Sequence, residues 1–279
     1  MSAGLLGLRR DGPAIAMGTV PLLFLLLLFV YPVARLLSFS VEGGNFAHFE
    51  KALTDGLYVQ VFLETLRIAL IVAAICLVLG YPLAYGLAIA SPLWATIGFA
   101  FLLLPFWTSV LVRTYAWMIL LGRNGLLNRT LLDLGIIDQP LALLHNRTGV
   151  IIGMVHVLLP YMVFPIYSVM RRVDRQLLSA AEGLGASPTQ AFRRVFVPLT
   201  LPGVFAGATL VFVISLGFFI TPALLGGGRV MMIGVQIERL VRQFLDWGLA
   251  AAVAIILLAA ALGIAALLRR LLRGDLTWS

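Results

Sequence analysis

Apolar runs of about twenty residues or more recur along the chain, divided by short polar stretches in which arginines collect. A helix needs roughly 20 mostly apolar residues to cross the hydrocarbon core of a bilayer. Six segments reach that length, at about 14–37, 61–90, 93–121, 148–170, 203–226 and 248–268. The second and third are separated only by SPLW at 91–94, which reads as a tight turn around Pro92. Pro82, Pro105, Pro160 and Pro165 fall inside spans and mark expected kinks, because neighbouring helices satisfy the carbonyls they free. The first run follows Arg9 and Arg10 as the core of a signal peptide would. It continues to Leu37 without a small-residue cleavage site, so it reads as a retained span. The expectation is an all-α polytopic membrane protein with six transmembrane helices, one membrane domain over 1–279, and no internal repeat or soluble module.

Composition strengthens that reading. Charged residues make up 11% of the 279 and hydrophobic residues 61%, whereas a soluble domain carries about a quarter charged. The net charge of +8 would suit a nucleic-acid binder if the arginines lined a groove. They cluster instead beside apolar runs, as Arg9/Arg10, Arg171/Arg172/Arg175, Arg193/Arg194 and Arg269/Arg270/Arg273, which is the positive-inside pattern. Nucleic acid is excluded as a partner on that ground. With six spans both termini share a side, and the clusters assign that side, the SPLW turn and the 171–202 loop to the cytoplasm. The positives opposite are dispersed and balanced by Glu42, Glu50, Asp55, Asp133, Asp138, Glu238 and Asp246.

Signatures of catalysis are missing. Cys76 is the only cysteine, so neither an internal disulfide nor a cysteine metal cluster is available. His48, His145 and His156 are far apart, and His156 in GMVHVLLP reads as a hydrogen-bonding group between helices, not a ligand. No H-E-x-x-H, G-x-S-x-G or C-x-x-C occurs. The run LLGGGR at 224–229 is no phosphate loop, since the only lysine is Lys51; Gly226–Gly228 read as a flexible exit from the fifth span. Proton- or ion-coupled carriers place acids at mid-membrane, but the span interiors hold no carboxylate, and Glu64 lies near a span start. Arg67 and Arg113, in or near spans, can snorkel to an interface.

The 171–202 segment is too long for a simple turn between helices. In RRVDRQLLSAAEGLG, Val173, Leu177, Leu178, Ala181 and Leu184 fall near helical spacing. Gly185 supplies a stop, and Ser187-Pro188 an N-cap followed by proline at the first helical position. A second short helix, TQAFRRVFV, is expected to run toward Pro198. Two short helices at a sharp angle make a knob suited to another protein's groove.

This segment resembles the EAA loop of the permease subunits of binding-protein-dependent ABC importers. That pattern is E-A-A, three residues, Gly, nine residues, an aliphatic residue, one residue, then Leu-Pro. Ser179-Ala180-Ala181 takes the first places, Gly185 the glycine, Val195 the aliphatic position and Val197-Pro198 the end. The match departs at Ser179, where the family usually has Glu, although Glu182 lies one turn away. LLLPFWTSVLVRTYAWMILLGRNGLLN at 102–128 and FFITPALLGG at 218–227 are similar to segments of the spermidine/putrescine group; permeases for iron, thiamine, phosphonates and opines share parts of them.

The resemblance implies a type I ABC importer permease fold. It also implies a coupling loop at 171–202 that docks into a separate ATPase through Ser179, Ala180, Ala181, Glu182, Gly185, Ala186, Phe192, Val195 and Pro198. Leu177, Leu184 and Phe192 would be the apolar anchors. The same resemblance implies a non-catalytic chain without a cofactor or metal of its own, ATP and Mg being used by the ATP-binding subunits. A second, different permease subunit, a periplasmic solute-binding protein and a place in the bacterial inner membrane follow. A polyamine path would use Trp107, Tyr115, Trp117, Phe218, Phe219 and Thr221, the aromatic rings offering cation–π contact. Asp246, Glu238 and Glu64 are the available anionic guides. A stand-alone channel or secondary carrier is the alternative class.

Overall fold

The computed structural model describes residues 19, 21–41, 45–174 and 176–275. Arg9, Arg10, Glu42 and Arg175 lie outside the described residues, as do the side chains of Arg269 and Arg273. The elements are helices: α1 Pro21–Val41, α2 Ala47–Thr54, α3 Gly56–Ile89, α4 Pro92–Trp107, α5 Val110–Leu121 and α6 Leu126–Asp133. They continue with α7 Arg147–Met170, α8 Gln176–Gly183, α9 Pro188–Leu216, α10 Ile220–Leu225, α11 Ile233–Arg242 and α12 Trp247–Asp275. Among the described residues five helices (α1, α3, α7, α9 and α12) are long and apolar enough to cross a membrane. The bent pair Pro92–Trp107 and Val110–Asp133 makes a sixth when counted as one crossing.

Two expected spans take a different form. The third, read as one run over 93–121, is broken at Thr108 and Ser109, and its halves are bent by 101°. The Arg113 guanidinium reaches back and donates through Nη1 to the Pro105 carbonyl, supplying a donor that the interrupted helix lacks. The fifth span starts well before residue 203. Its helix begins at Pro188, passes through a π-helical turn at Phe192–Phe196, and runs on to Leu216. The expected separate helix ending at Pro198 is therefore the first part of α9. A proline inside a helix clashes with the carbonyl four residues back, and the wider π turn immediately before Pro198 gives that ring room.

By internal packing the chain divides into two units, 1–55 with 237–256, and 56–236 with 257–279. In the smaller one, Asp246 Oδ1 accepts from the Leu249 amide at 3.0 Å at the start of α12, and the His48 ring lies against Gly248. In the larger one, α3, α7 and α9 pack around Ile68, Val72, Met154, Leu158, Met162, Ile166 and Val211, all buried. Small residues set the helix approach, as lipid-embedded helices require. A Cβ at Gly203 would come within 2.9 Å of the Pro165 carbonyl oxygen, and one at Gly80 within 3.0 Å of Met162 Cγ.

Polar groups in this core are paired across helices. Thr200 Oγ1 donates to the Val197 carbonyl at 2.9 Å, which leaves the Tyr81 hydroxyl as donor in the 2.9 Å bond between Tyr81 and Thr200. Buried Asn128 pins the 134–146 connection, donating to the Gly122 and Leu141 carbonyls and accepting from the Leu141 amide at 2.9 Å. The Gly226–Gly228 run is a defined turn, with Gly227 and Gly228 at positive φ and the His145 ring packed on Gly227.

Candidate functional site

Gln176–Gly183, α8, is the helix that follows the fourth apolar span. Asp174 Oδ1 accepts from the Gln176 amide at 2.9 Å and so starts it. Its end is a Schellman turn: the Ala186 amide donates to the Ala181 carbonyl at 3.1 Å and the Gly185 amide to the Glu182 carbonyl at 2.9 Å. Gly185 holds φ +92°, a conformation open to glycine and costly for other residues. The next helix opens on a full capping box, which the sequence reading anticipated only in its Ser187 half. Gln190 N donates to Ser187 Oγ at 3.3 Å, and the Ser187 amide donates to Gln190 Oε1 at 3.0 Å. Caps on both sides of a four-residue link fix the angle between α8 and α9.

The expected coupling residues separate into two groups. Ala180, Glu182 and Gly185 are exposed, Ala181 and Ala186 half-buried, and Leu184 stands 91% exposed with Leu177 beside it in the open. No residue of α8 is buried. Phe192, expected as an outward anchor, instead turns inward: it stacks on Phe196 at 5.4 Å and meets the Tyr85 edge at 5.3 Å. Val195 is half-buried and Pro198 exposed on the same helix. Ser179 lines a recess of about 260 Å³ with Tyr85, Met170, Val173 and Phe196. The base of α8 is thereby seated against the ends of α3, α7 and α9, with the Leu184 tip bare.

The expected path residues do not form one aromatic surface. Trp107, 89% exposed, sits at the break of the third span, and Tyr115 is also exposed on α5. Trp117 turns inward and donates from Nε1 to His156 Nδ1 at 3.1 Å, the interhelical bond anticipated for His156. Thr221 is buried with its Oγ1 unpartnered, and packs on Gly153, one turn from His156 along α7. Trp117 and Thr221 therefore meet the same face of α7. Phe218 and Phe219 form the joint between α9 and α10 and pack against Gly234. The three carboxylates expected to guide a cation are each engaged: Glu64 by Arg147, Glu238 by Arg242 at 3.6 Å, and Asp246 as the α12 cap. Among the described residues no three of His, Cys, Asp and Glu gather as a metal site.

The family described as binding-protein-dependent transport system inner membrane component matches residues 13–274. The chain belongs to this family. The permease is 37% identical over 250 residues to the spermidine/putrescine transport system permease protein PotB of Haemophilus influenzae, covering 85% of this chain and 87% of that one. It is 43% identical over 205 residues to PotB of Escherichia coli, covering 74% of each. Its fold matches that of a bacterial alginate ABC transporter solved in complex with an alginate pentasaccharide-bound periplasmic protein, with a TM-score of 0.73. That match covers 96% of both chains at 19% identity. The permease is the non-catalytic, multi-pass inner-membrane subunit of an ABC importer, and the family works with a solute-binding protein.

Proposed function

We propose that the permease forms half of a polyamine pathway, for a solute such as spermidine or putrescine, and is driven through α8 by separate ATP-binding subunits that use ATP and Mg. The observation that carries the coupling role is the bare, doubly capped α8. A leucine at 91% exposure at the tip of a rigid helical corner, with Ala180, Ala181 and Gly185 allowing close approach, is a surface made for burial in a partner. Ser179, Ala180, Ala181, Glu182, Gly185 and Ala186 would form that contact. Phe192 and Val195 would support it from behind, and Pro198 stands on the helix that leads into the span. The polyamine assignment is supported by the two PotB relatives.

In this reading the 171–187 segment and both termini face the cytoplasm, and the opposite edge receives the binding protein. A second, different permease subunit completes the pathway. ATP-driven closure of the ATP-binding subunits displaces α8 and rocks the spans between inward- and outward-facing states, a rigid-body transition between two arrangements. ATP drives it by binding the two states with different affinity.

Ala181→Pro tests the coupling role, because proline in the interior of α8 breaks the helix at a cost of about 3 kcal/mol. The ATP-binding subunits are expected to stop co-purifying with the variant while its membrane insertion is unchanged. Undiminished co-purification refutes the role. Competition of labelled spermidine uptake by unlabelled putrescine, iron chelates, thiamine and phosphonates then tests the solute; uptake blocked only by a non-amine reassigns it.

A further inference from the structure

A recess of about 490 Å³ opens beside the first turns of α3, lined by Glu64, Arg67, Arg147 and Arg229. Arg147 holds Glu64 with both arms of its guanidinium, Nη2 donating to Oε2 at 2.9 Å and Nε to Oε1. That pair consumes the carboxylate of the recess. Among the described residues neither Arg67 nor Arg229 has an ion-pair partner, so three guanidiniums against one carboxylate leave two positive charges unbalanced. Arg229 is also held in place. Its amide donates to the Gly226 carbonyl at 3.0 Å, and further along the same segment the Ile233 amide donates to Thr65 Oγ1 at 2.9 Å, next to Glu64.

Depth decides what chemistry meets these charges. Beyond Arg67 the α3 sequence carries no charged residue as far as Ala90, a length of about 34 Å at the α-helical rise and close to one hydrocarbon core. The apolar run of α7 likewise begins immediately after Arg147 and ends before Arg171. Arg67 and Arg147 therefore lie at headgroup level, on the edge opposite the 171–187 segment. Below the recess, Leu70, Ala74 and Val78 continue from Leu63 and Arg67 as one exposed face of α3. A charged group at headgroup depth above an unbroken apolar stripe of about 16 Å has the shape of a lipid.

We propose that this recess is a binding site for the phosphate of an anionic phospholipid, clamped by Arg67 and Arg229 with its acyl chain along Leu70, Ala74 and Val78. Guanidinium forks match phosphate oxygens bidentately, and the unbalanced charge repels a cationic solute. An acidic side chain of a soluble protein would satisfy the arginines but leave the stripe uncovered. The Glu64–Arg147 pair serves as the fixed wall that keeps Arg147 from filling the site itself.

The test uses the full chain, with its partners, reconstituted in phosphatidylcholine vesicles that carry or lack phosphatidylglycerol, then released and weighed by native mass spectrometry. Wild type is expected to retain phosphatidylglycerol. R67Q/R229Q is expected to retain roughly tenfold less or lower, R67K/R229K an amount between the two because lysine keeps the charge and loses the fork, and R123Q, outside the recess, to match wild type. Equal retention by R67Q/R229Q and wild type overturns the site. So does an equal loss in R123Q, which would mean bulk attraction to the surface, or unchanged lipid with loss of binding-protein association, which would assign the arginines to a protein partner. If the double variant is not recovered from membranes, R229Q alone carries the test, since Arg229 lies outside the helices; undiminished retention by it refutes the proposal.

Discussion

At Gly207 a Cβ would lie 2.9 Å from the Met162 carbonyl oxygen and 3.0 Å from its sulfur, so α9 approaches α7 more closely there than any side chain permits. Gly207→Val should lower thermal stability in detergent by the equivalent of about 1–3 kcal/mol, the usual cost of overpacking a core. A melting temperature equal to wild type would show that the helices separate freely. Small residues at helix contacts were visible in the sequence as glycines inside spans, but not which helix each one faces. His156 is a similar case. Its role in an interhelical hydrogen bond followed from a lone polar group in an apolar run, while its partner, Trp117, follows only from the fold. Phe192 shows the opposite failure: an aromatic on a basic, amphipathic stretch reads as an outward anchor, and Tyr85 and Phe196 draw it inward.

Long spans were legible because some twenty apolar residues have few alternatives to crossing a membrane. Their interruptions were not, since average hydropathy runs unbroken through FWTSVLVR at 106–113 while the backbone turns by 101°. Pro105 marked the place, and Arg113, noted as an intramembrane cation, is the side chain that joins the two halves. Arg113→Leu removes that donor. Spin labels at residues 93 and 119 should then report an α4–α5 separation longer by about 5 Å or more as the corner relaxes, given the helix rise. An unaltered distance distribution would show that packing alone holds the corner. Pro198 misled in the other direction. A proline there argues for a helix end, yet a π turn makes room for its ring and the helix runs on, whereas Pro188 sits at N1 as its place after Ser187 indicated.

The permease as a whole carries no nucleotide-binding loop, and its family supplies the membrane component of a larger transporter. Purified alone it should hydrolyse no ATP, and vesicles holding nothing else should show no uphill accumulation of solute. Turnover by the chain alone would overturn the division of labour. Membership in the importer family was readable from the spacing around Ser179-Ala180-Ala181 and Gly185, because a capped helix corner needs its small residue and its glycine at set intervals. The solute was less readable, since the aromatic residues offered for it scatter over separate surfaces. From Pro188 to Leu216 α9 is 29 residues of continuous helix, about 44 Å long. Tilting this helix by about 5° about its capped foot sweeps the far end sideways by roughly 4 Å, close to the width of a methylene chain, less whatever the π turn at Phe192–Phe196 and the Pro202 position take up by bending.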